Sequence, residues 1–270
     1  MERPLILVTG ATDGIGRETA RELTRRGARV LVHGRNAGRV AATAAELGAL
    51  AGAPAETIVA DLASLAAVRA MAAELAARGL RPEVLLHNAG VYMKQRERSV
   101  DGFEMTLAVN HLAPFLLTHL LLAGGAGARV RRIVNVSSMA HNRGRIDLED
   151  VELLRAPFNS YASYASSKLA NVLFSAELAR RLAGTGVTSY ALHPGVVASD
   201  AWRRIPWPFR SLVTWRMLSN EQGAETSIHC ATSEQAGKET GLYYDHSRVK
   251  EPSKPGQDRA LAEQLWERSV

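Results

Sequence analysis

Tyr164 and Lys168 stand four residues apart inside an apolar-periodic run, residues 162–182. On a helix, positions i and i+4 share one face, one turn apart, so this spacing sets an ammonium beside a phenol. A free phenol has a pKa near ~10 and is a poor proton shuttle at neutral pH. A neighbouring cation favours the phenolate. Lowering the pKa by ~3 units takes ~4 kcal/mol of differential stabilisation, which a lysine in a half-dry cleft and a positively charged cofactor together can supply. The expected chemistry is acid–base work by a tyrosine whose pKa the lysine pulls down. The same pair also describes a plain helix edge with a solvated lysine, so its meaning depends on the elements around it.

Those elements begin at the N-terminus. Residues 4–9 include the apolar run Leu5, Ile6, Leu7, Val8, which reads as a buried parallel strand. Gly10-Ala-Thr12-Asp13-Gly14-Ile15-Gly16 follows at once, then a helix over residues 16–26. Strand, glycine turn and helix make a dinucleotide-binding start: the glycines let the backbone approach a pyrophosphate, and the helix N-terminus offers free N–H groups. The spacing is G-x-x-x-G-x-G, not G-x-G-x-x-G.

The second strand, residues 28–33, ends in His33-Gly34-Arg35-Asn36. An acid at this point binds the ribose 2′-OH of NAD, whereas an arginine accommodates the 2′-phosphate of NADP. There is no acid here, so Arg35 is the expected phosphate clamp, with Arg17 as a helper and NADP(H) favoured over NAD(H). Strands are expected at residues 56–60, 83–87, 133–136, 188–192 and 241–244, with helices at 37–50, 65–78, 101–122, 219–233 and 257–268. Asp61-Leu62 and Asn88-Ala89-Gly90 end the third and fourth strands, where an open α/β sheet holds its ligand. Asp61 is open to two uses, meeting the adenine or capping the next helix. Within 101–122, Asn110 is a mid-helix asparagine of a kind usually turned to solvent. Pro114 removes a backbone bond near it and predicts a local distortion. Residues 139–163 read as a polar, non-periodic insert suited to a lid or wall. Residues 199–218 carry Trp202, Trp207 and Trp215 and read as a cover over the substrate cleft, and residues 245–256 as a surface loop.

The alternation of strand and helix gives a doubly wound Rossmann-type α/β fold, a parallel seven-stranded sheet with helices on both faces, as one domain over residues 1–270. Hydrophobic residues at 46% and charged residues at 22% allow a sizeable core. The one cysteine, Cys230, excludes an internal disulfide and reads as a core residue, and the eight histidines lack zinc-site spacing, so no metal is expected. A formal charge of +6 comes largely from arginines spread along helices, and aromatics are only 6%. Solvated helix faces and an anionic cofactor account for that charge, with no nucleic-acid partner. No run of eighteen apolar residues stands out, so a soluble, cytoplasmic chain with no membrane partner is expected.

These motifs carry a resemblance. Thr9 to Gly16, Asn88-Ala89-Gly90, Asn110, Ser138, Tyr164 to Lys168 and Pro194-Gly195, in this order, make the chain similar to the short-chain dehydrogenase/reductase family from residue 4 to about 244. The phrases Asp101-Gly-Phe-Glu, Val109-Asn-His-Leu, Val134-Asn-Val-Ser-Ser and Lys168-Leu-Ala-Asn-Val-Leu-Phe resemble its retinol-dehydrogenase-like branch. The resemblance implies Tyr164 as general acid/base and Lys168 as the residue that tunes it and holds the nicotinamide ribose. It implies Ser138 as the group polarising a carbonyl and Asn110 as support for a water-linked proton relay. It also implies cofactor contacts from the glycine loop, Asn88, Ala89, Gly90, Pro194, Gly195 and Val197, and a homo-oligomer as the family's usual state. A hydroxyl and a phenol aimed at one carbonyl oxygen suit hydride addition, whose transition state is alkoxide-like.

The function expected is NADP(H)-dependent reduction of a small, lipophilic carbonyl, or oxidation of the matching alcohol. Two other readings are a sugar-nucleotide epimerase or dehydratase, which would want a larger C-terminal substrate region, and a non-catalytic NADP-binding sensor or scaffold.

Overall fold

The structure is a computed structural model and describes residues 3–124, 129–151, 154–155, 157–195 and 219–270. Val197 and the tryptophan-rich segment 199–218 lie outside the described residues.

The first half alternates as its periodicity predicts: β1 (Leu5–Val8), α1 (Gly14–Arg25), β2 (Arg29–Gly34), α2 (Ala37–Ala51), β3 (Glu56–Val59), α3 (Leu65–Ala77) and β4 (Val84–His87). Each helix starts on a side chain that accepts an otherwise unpaired backbone N–H. Asp13 takes Gly14 N–H, Asn36 takes Arg39 N–H, and Ser64 takes Ala67 N–H. The second half holds α4 (Met105–Leu107), a π-helical segment (Ala108–Leu112), α5 (Ala113–Leu122), β5 (Arg132–Val136), a 3₁₀ turn (Met139–Arg143) and α6 (Ser160–Arg181). It closes with β6 (Thr188–His193), α7 (Asn220–Thr232), β7 (Leu242–Asp245), β8 (Arg248–Lys250) and α8 (Arg259–Ser269).

The sheet order is β3-β2-β1-β4-β5-β6-β7-β8, parallel except for the last pair. Neighbouring β1 and β4 mark the reversal of strand order, where open α/β sheets bind ligands beyond their carboxyl ends. Successive residues of a strand point to opposite faces, and both faces are covered here. Ile6 and Val8 join Val32, Leu86 and Val134 in a core closed by Leu23, Val40, Leu47 and Ile228 from α1, α2 and α7. Leu5 and Leu7 join Leu31, Leu85 and Ile133 in a second core closed by Val68, Met71, Leu117 and Phe174 from α3, α5 and α6. Burial on both faces is why the strands read as continuous apolar runs. Cys230 is fully buried in the first core, and burial pushes its thiol pKa up. Residues Met105–Leu122 are long and apolar enough to cross a membrane, yet 67% of that stretch is buried inside the fold.

Three expectations are corrected. The sheet has eight strands, because residues 248–250, expected within a surface loop, pair antiparallel with β7. The turn between them has His246 at φ 49° and Ser247 at φ 58°. Such a turn is usually announced by Asn-Gly, and β8 is exposed throughout, so neither turn type nor alternation signalled it. The helix expected at 101–122 starts only at Met105 and changes winding at Ala108–Leu112. Pro114, with no N–H to give the fourth carbonyl before it, stands just after the π segment. The insert at 139–163 opens as a 3₁₀ turn pressed against α6: a β-carbon on Gly144 would lie 2.4 Å from Ala165 O.

Candidate functional site

The carboxyl edge of the sheet gathers most of the residues singled out from sequence. The loop after β1 is built around Thr9. Its Oγ1 accepts the N–H groups of Asn88 and Ala89, both at 3.0 Å, and donates to Leu86 O. Asn88 Nδ2 donates back to Thr9 O at 2.9 Å and Gly10 O at 3.4 Å. Asn88 therefore locks the glycine loop to the end of β4. Gly10 has φ +66°, and a β-carbon there would come within 3.0 Å of Ala89 Cα. A β-carbon at Gly16 would lie 2.3 Å from both Asn88 Nδ2 and Gly10 O. We expect Gly16→Ala to push the loop off Asn88 and lower nicotinamide-dinucleotide affinity at least tenfold, read by protein-to-cofactor fluorescence titration. Unchanged affinity would show that the loop does not carry the cofactor.

Around that loop, Thr12 packs on Gly34, and Ile15 packs on the first core. Asp13 caps α1 and accepts an ion pair from Arg39 at 2.8 Å. Arg35 is exposed just past β2, beside Asn36, whose side chain caps α2. Arg17, expected as a helper for Arg35, pairs with Glu46 at 2.6 Å. Asp61 is exposed and accepts Ala63 N–H in a tight turn, while Ser64 caps α3. Leu62 is buried. Pro194 and Gly195, at φ +88°, follow β6. A glycine-walled loop locked to β4 beside the N-terminus of α1 fits the pyrophosphate of a dinucleotide.

The second cluster lies where β4, the π segment, β5 and α6 meet. The Ser138 side chain lies close enough to the Tyr164 hydroxyl to lower its pKa, and Ser138 Oγ accepts Ala140 N–H at 3.2 Å. Lys168, only 3% exposed, donates from Nζ to Val136 O at 2.9 Å, and Ser137 Oγ donates to Lys168 O at 2.7 Å. These two bonds fasten α6 across the end of β5. Asn110 is 1% exposed, not turned to solvent as a mid-helix asparagine usually is. Its Oδ1 accepts Val91 N–H at 2.7 Å, and its Nδ2 donates to Val91 O and Ser167 Oγ. Gly90 sits between: a β-carbon there would lie 3.3 Å from Asn110 Oδ1 and 3.4 Å from Lys168 Nζ. All four residues expected to do chemistry are therefore brought together. Tyr161, the rival tyrosine, is 46% exposed.

The electrostatics correct one expectation. Burial raises the Tyr164 phenol above its usual 10.0, while the nearby Ser138 side chain pulls it down. Lysine does not set this value: its ammonium lies 5.6 Å from the phenol ring centroid and aims at Val136 O. Burial lowers Lys168 itself from 10.5 to about 8, because a charged amine loses hydration in a dry site.

Three further residues shape the cluster without having been expected. His141 Nδ1 sits 2.7 Å from Ser138 O, and its Nε2 accepts Ser253 N–H at 3.1 Å. A carbonyl only accepts, so the ring is the neutral Nδ1–H tautomer, and burial lowers its pKa. It holds the backbone of Ser138 from behind. His33 Nδ1 accepts Gly10 N–H at 3.3 Å and steadies the glycine loop. Tyr92, 47% exposed, meets the Tyr164 ring edge-on at 5.5 Å. Tyr92 directly follows the motif Asn88-Ala89-Gly90-Val91, which was the available signal; the two histidines had none, since Gly10 is 23 residues from His33 and Ser253 is 112 from His141.

A family model described as short chain dehydrogenase matches residues 4–207. The chain belongs to the short-chain dehydrogenase family. It is an oxidoreductase of the alcohol and carbonyl groups handled by that family, with a nicotinamide cofactor. Among curated relatives it is 40% identical to retinol dehydrogenase 12 of Bos taurus, over 97% of this chain and 84% of that one. It is 43% identical to dehydrogenase/reductase SDR family member 13 of Bos taurus, over 97% and 71%. Among solved structures, an uncharacterized protein from Mycobacterium Paratuberculosis superposes with TM-score 0.80 at 32% identity, covering 99% of this chain and 92% of that one. The angucycline C-6 ketoreductase LanV, solved with bound NADP, superposes with TM-score 0.71 at 26% identity, covering 90% and 93%. These likenesses place the chain in the retinol-dehydrogenase branch of the short-chain dehydrogenases.

Proposed function

We propose that this short-chain dehydrogenase is an NADP(H)-dependent carbonyl reductase or alcohol dehydrogenase for a small, lipophilic substrate. The observation that carries the reading is the placement of Tyr164 with the buried Lys168 ammonium 5.6 Å from its ring and the Ser138 side chain near enough to act on its hydroxyl. Two hydroxyls that meet at one point can together hold one substrate oxygen. In the reducing direction Tyr164 gives its proton to that oxygen as negative charge develops on it, and Ser138 donates a second hydrogen bond. A phenol whose pKa burial has raised is kept protonated, as a proton donor must be. Lys168, steered by Val136 O, holds positive charge next to the phenol below about pH 8. Asn110 braces the opening of the proton path at Val91. When bound, the nicotinamide supplies or accepts the hydride.

The preference for NADP(H) rests on Arg35 at the end of β2, where an NAD enzyme would place an acid. A lipophilic substrate is supported by the exposed Tyr92 and Met139 beside Tyr164 and Ser138. The test follows nicotinamide absorbance over a panel of aldehydes and ketones, with NADPH and NADH in parallel. Turnover preferring NADPH supports the reading. Cofactor binding with no carbonyl reduced would leave a sensor or scaffold instead.

A further inference from the structure

Glu104 is fully buried, and no cation pairs with it among the described residues. Its carboxylate is satisfied by neutral donors. Oε1 accepts Thr106 Oγ1 at 2.8 Å, while Oε2 accepts Leu107 N–H at 2.9 Å and Ser163 Oγ at 2.8 Å. Two of these donors belong to its own turn, and by accepting Leu107 N–H Glu104 caps α4, which runs directly into the π segment that carries Asn110. The third reaches across to α6, to the residue just before Tyr164.

A second link joins the same two elements, Asn110 Nδ2 to Ser167 Oγ at 3.0 Å, and Ser167 in turn donates to Tyr164 O. Ser163 and Ser167 are i and i+4, so they lie on one face of α6. Tyr164 and Lys168 form the adjacent stripe, one residue on. Two hydrogen bonds a helical turn apart fix the rotation of α6 about its axis. That rotation sets where the Tyr164 hydroxyl stands relative to Ser138, which is anchored on a different element.

We propose that Glu104 and Ser163 form a positioning pair that holds the catalytic tyrosine in register with Ser138. The inference rests on the reading of Tyr164 as the general acid/base. A buried carboxylate is costly unless fully hydrogen-bonded; here three donors meet it, and the one on α6 is a directional link that an apolar contact would not provide. Neither residue touches substrate or cofactor; both act through Tyr164.

The experiment compares Ser163→Ala, Glu104→Gln and the double variant with wild type and with Tyr164→Phe, on one carbonyl that the wild type reduces. Misplacing a reacting group by about an ångström can cost up to ~100-fold. Ser163→Ala, a small change in a folded helix, is expected to lower kcat about 10- to 100-fold. The KM for the carbonyl, NADPH affinity and melting temperature should stay near wild type. The double variant should lose little more than either single one, as members of one link do. Ser163→Ala within twofold of the wild-type kcat, while Tyr164→Phe is inactive, overturns the pairing alone. So does a loss of kcat that merely follows a loss of NADPH affinity and folded protein. Tyr164→Phe turning over like wild type, or a wild type inactive on every carbonyl, overturns the catalytic reading and the pairing with it.

Discussion

Tyr164→Phe lowers kcat for carbonyl reduction by about 10²–10⁴-fold, the usual worth of a positioned proton donor, and leaves NADPH affinity unchanged. The substitution keeps the ring, its edge-on contact with Tyr92 and the backbone of α6, and removes only the hydroxyl on which Ser138 acts. The loss therefore reports proton transfer and not packing. Steady-state kinetics with NADPH, beside a fluorescence titration of the cofactor, separates the two. A variant with wild-type kcat would remove Tyr164 from the chemistry.

The wild-type pH profile adds a signature. Burial brings Lys168 down to about 8 and pushes the phenol up from its ordinary value. Below pH 8 the amine is charged and the phenol protonated, so reduction runs at its plateau. Above pH 8 the amine loses its charge while the phenol still carries its proton, and kcat declines. A profile flat from pH 7 to pH 10 would show that the charge on Lys168 is irrelevant.

Arg35→Asp carries the second large effect. A charge-assisted hydrogen bond contributes about 1.5–3 kcal/mol, so removing a guanidinium from the 2′-phosphate costs roughly 10- to 100-fold in NADPH affinity. The aspartate adds repulsion toward that phosphate and an acceptor for a 2′-hydroxyl, so NADH affinity rises or holds. Paired titrations with the two dinucleotides give the ratio directly. Arg39 does not substitute readily, because its guanidinium is engaged with Asp13 at 2.8 Å. An Arg35→Asp protein that still prefers NADPH to the wild-type degree refutes the clamp.

Much of this site was legible because its signals are local. The apolar run Leu5 to Val8 followed by Gly10 announces β1 and its turn. The spacing of Tyr164 and Lys168 places them on one helical face. Pro114 predicts disturbed winding near Asn110, and the π segment lies there. Where expectation failed, the deciding contact lay elsewhere in the chain. Arg17 looked free to help Arg35 until α2 brought Glu46 against it. Lys168 was expected to lower the phenol, yet the end of β5 offered its ammonium a carbonyl at 2.9 Å. Asn110 was of a type usually left in solvent, and packing of the π segment against α6 buried it.

The amino-acid sequence alone determined the order of strands and helices up to β7 and the glycine loop that ends β1, while the family resemblance named Asn110, Ser138, Tyr164 and Lys168 together. Periodicity, caps and glycines act over a few residues and need no partner. Only the tertiary structure decided the register of α6 through Glu104 and Ser163, the single tautomer of His141 and the direction of each pKa shift. Those depend on hydrogen bonds between residues far apart in the chain and on the water that packing excludes, and neither quantity exists before the chain has folded.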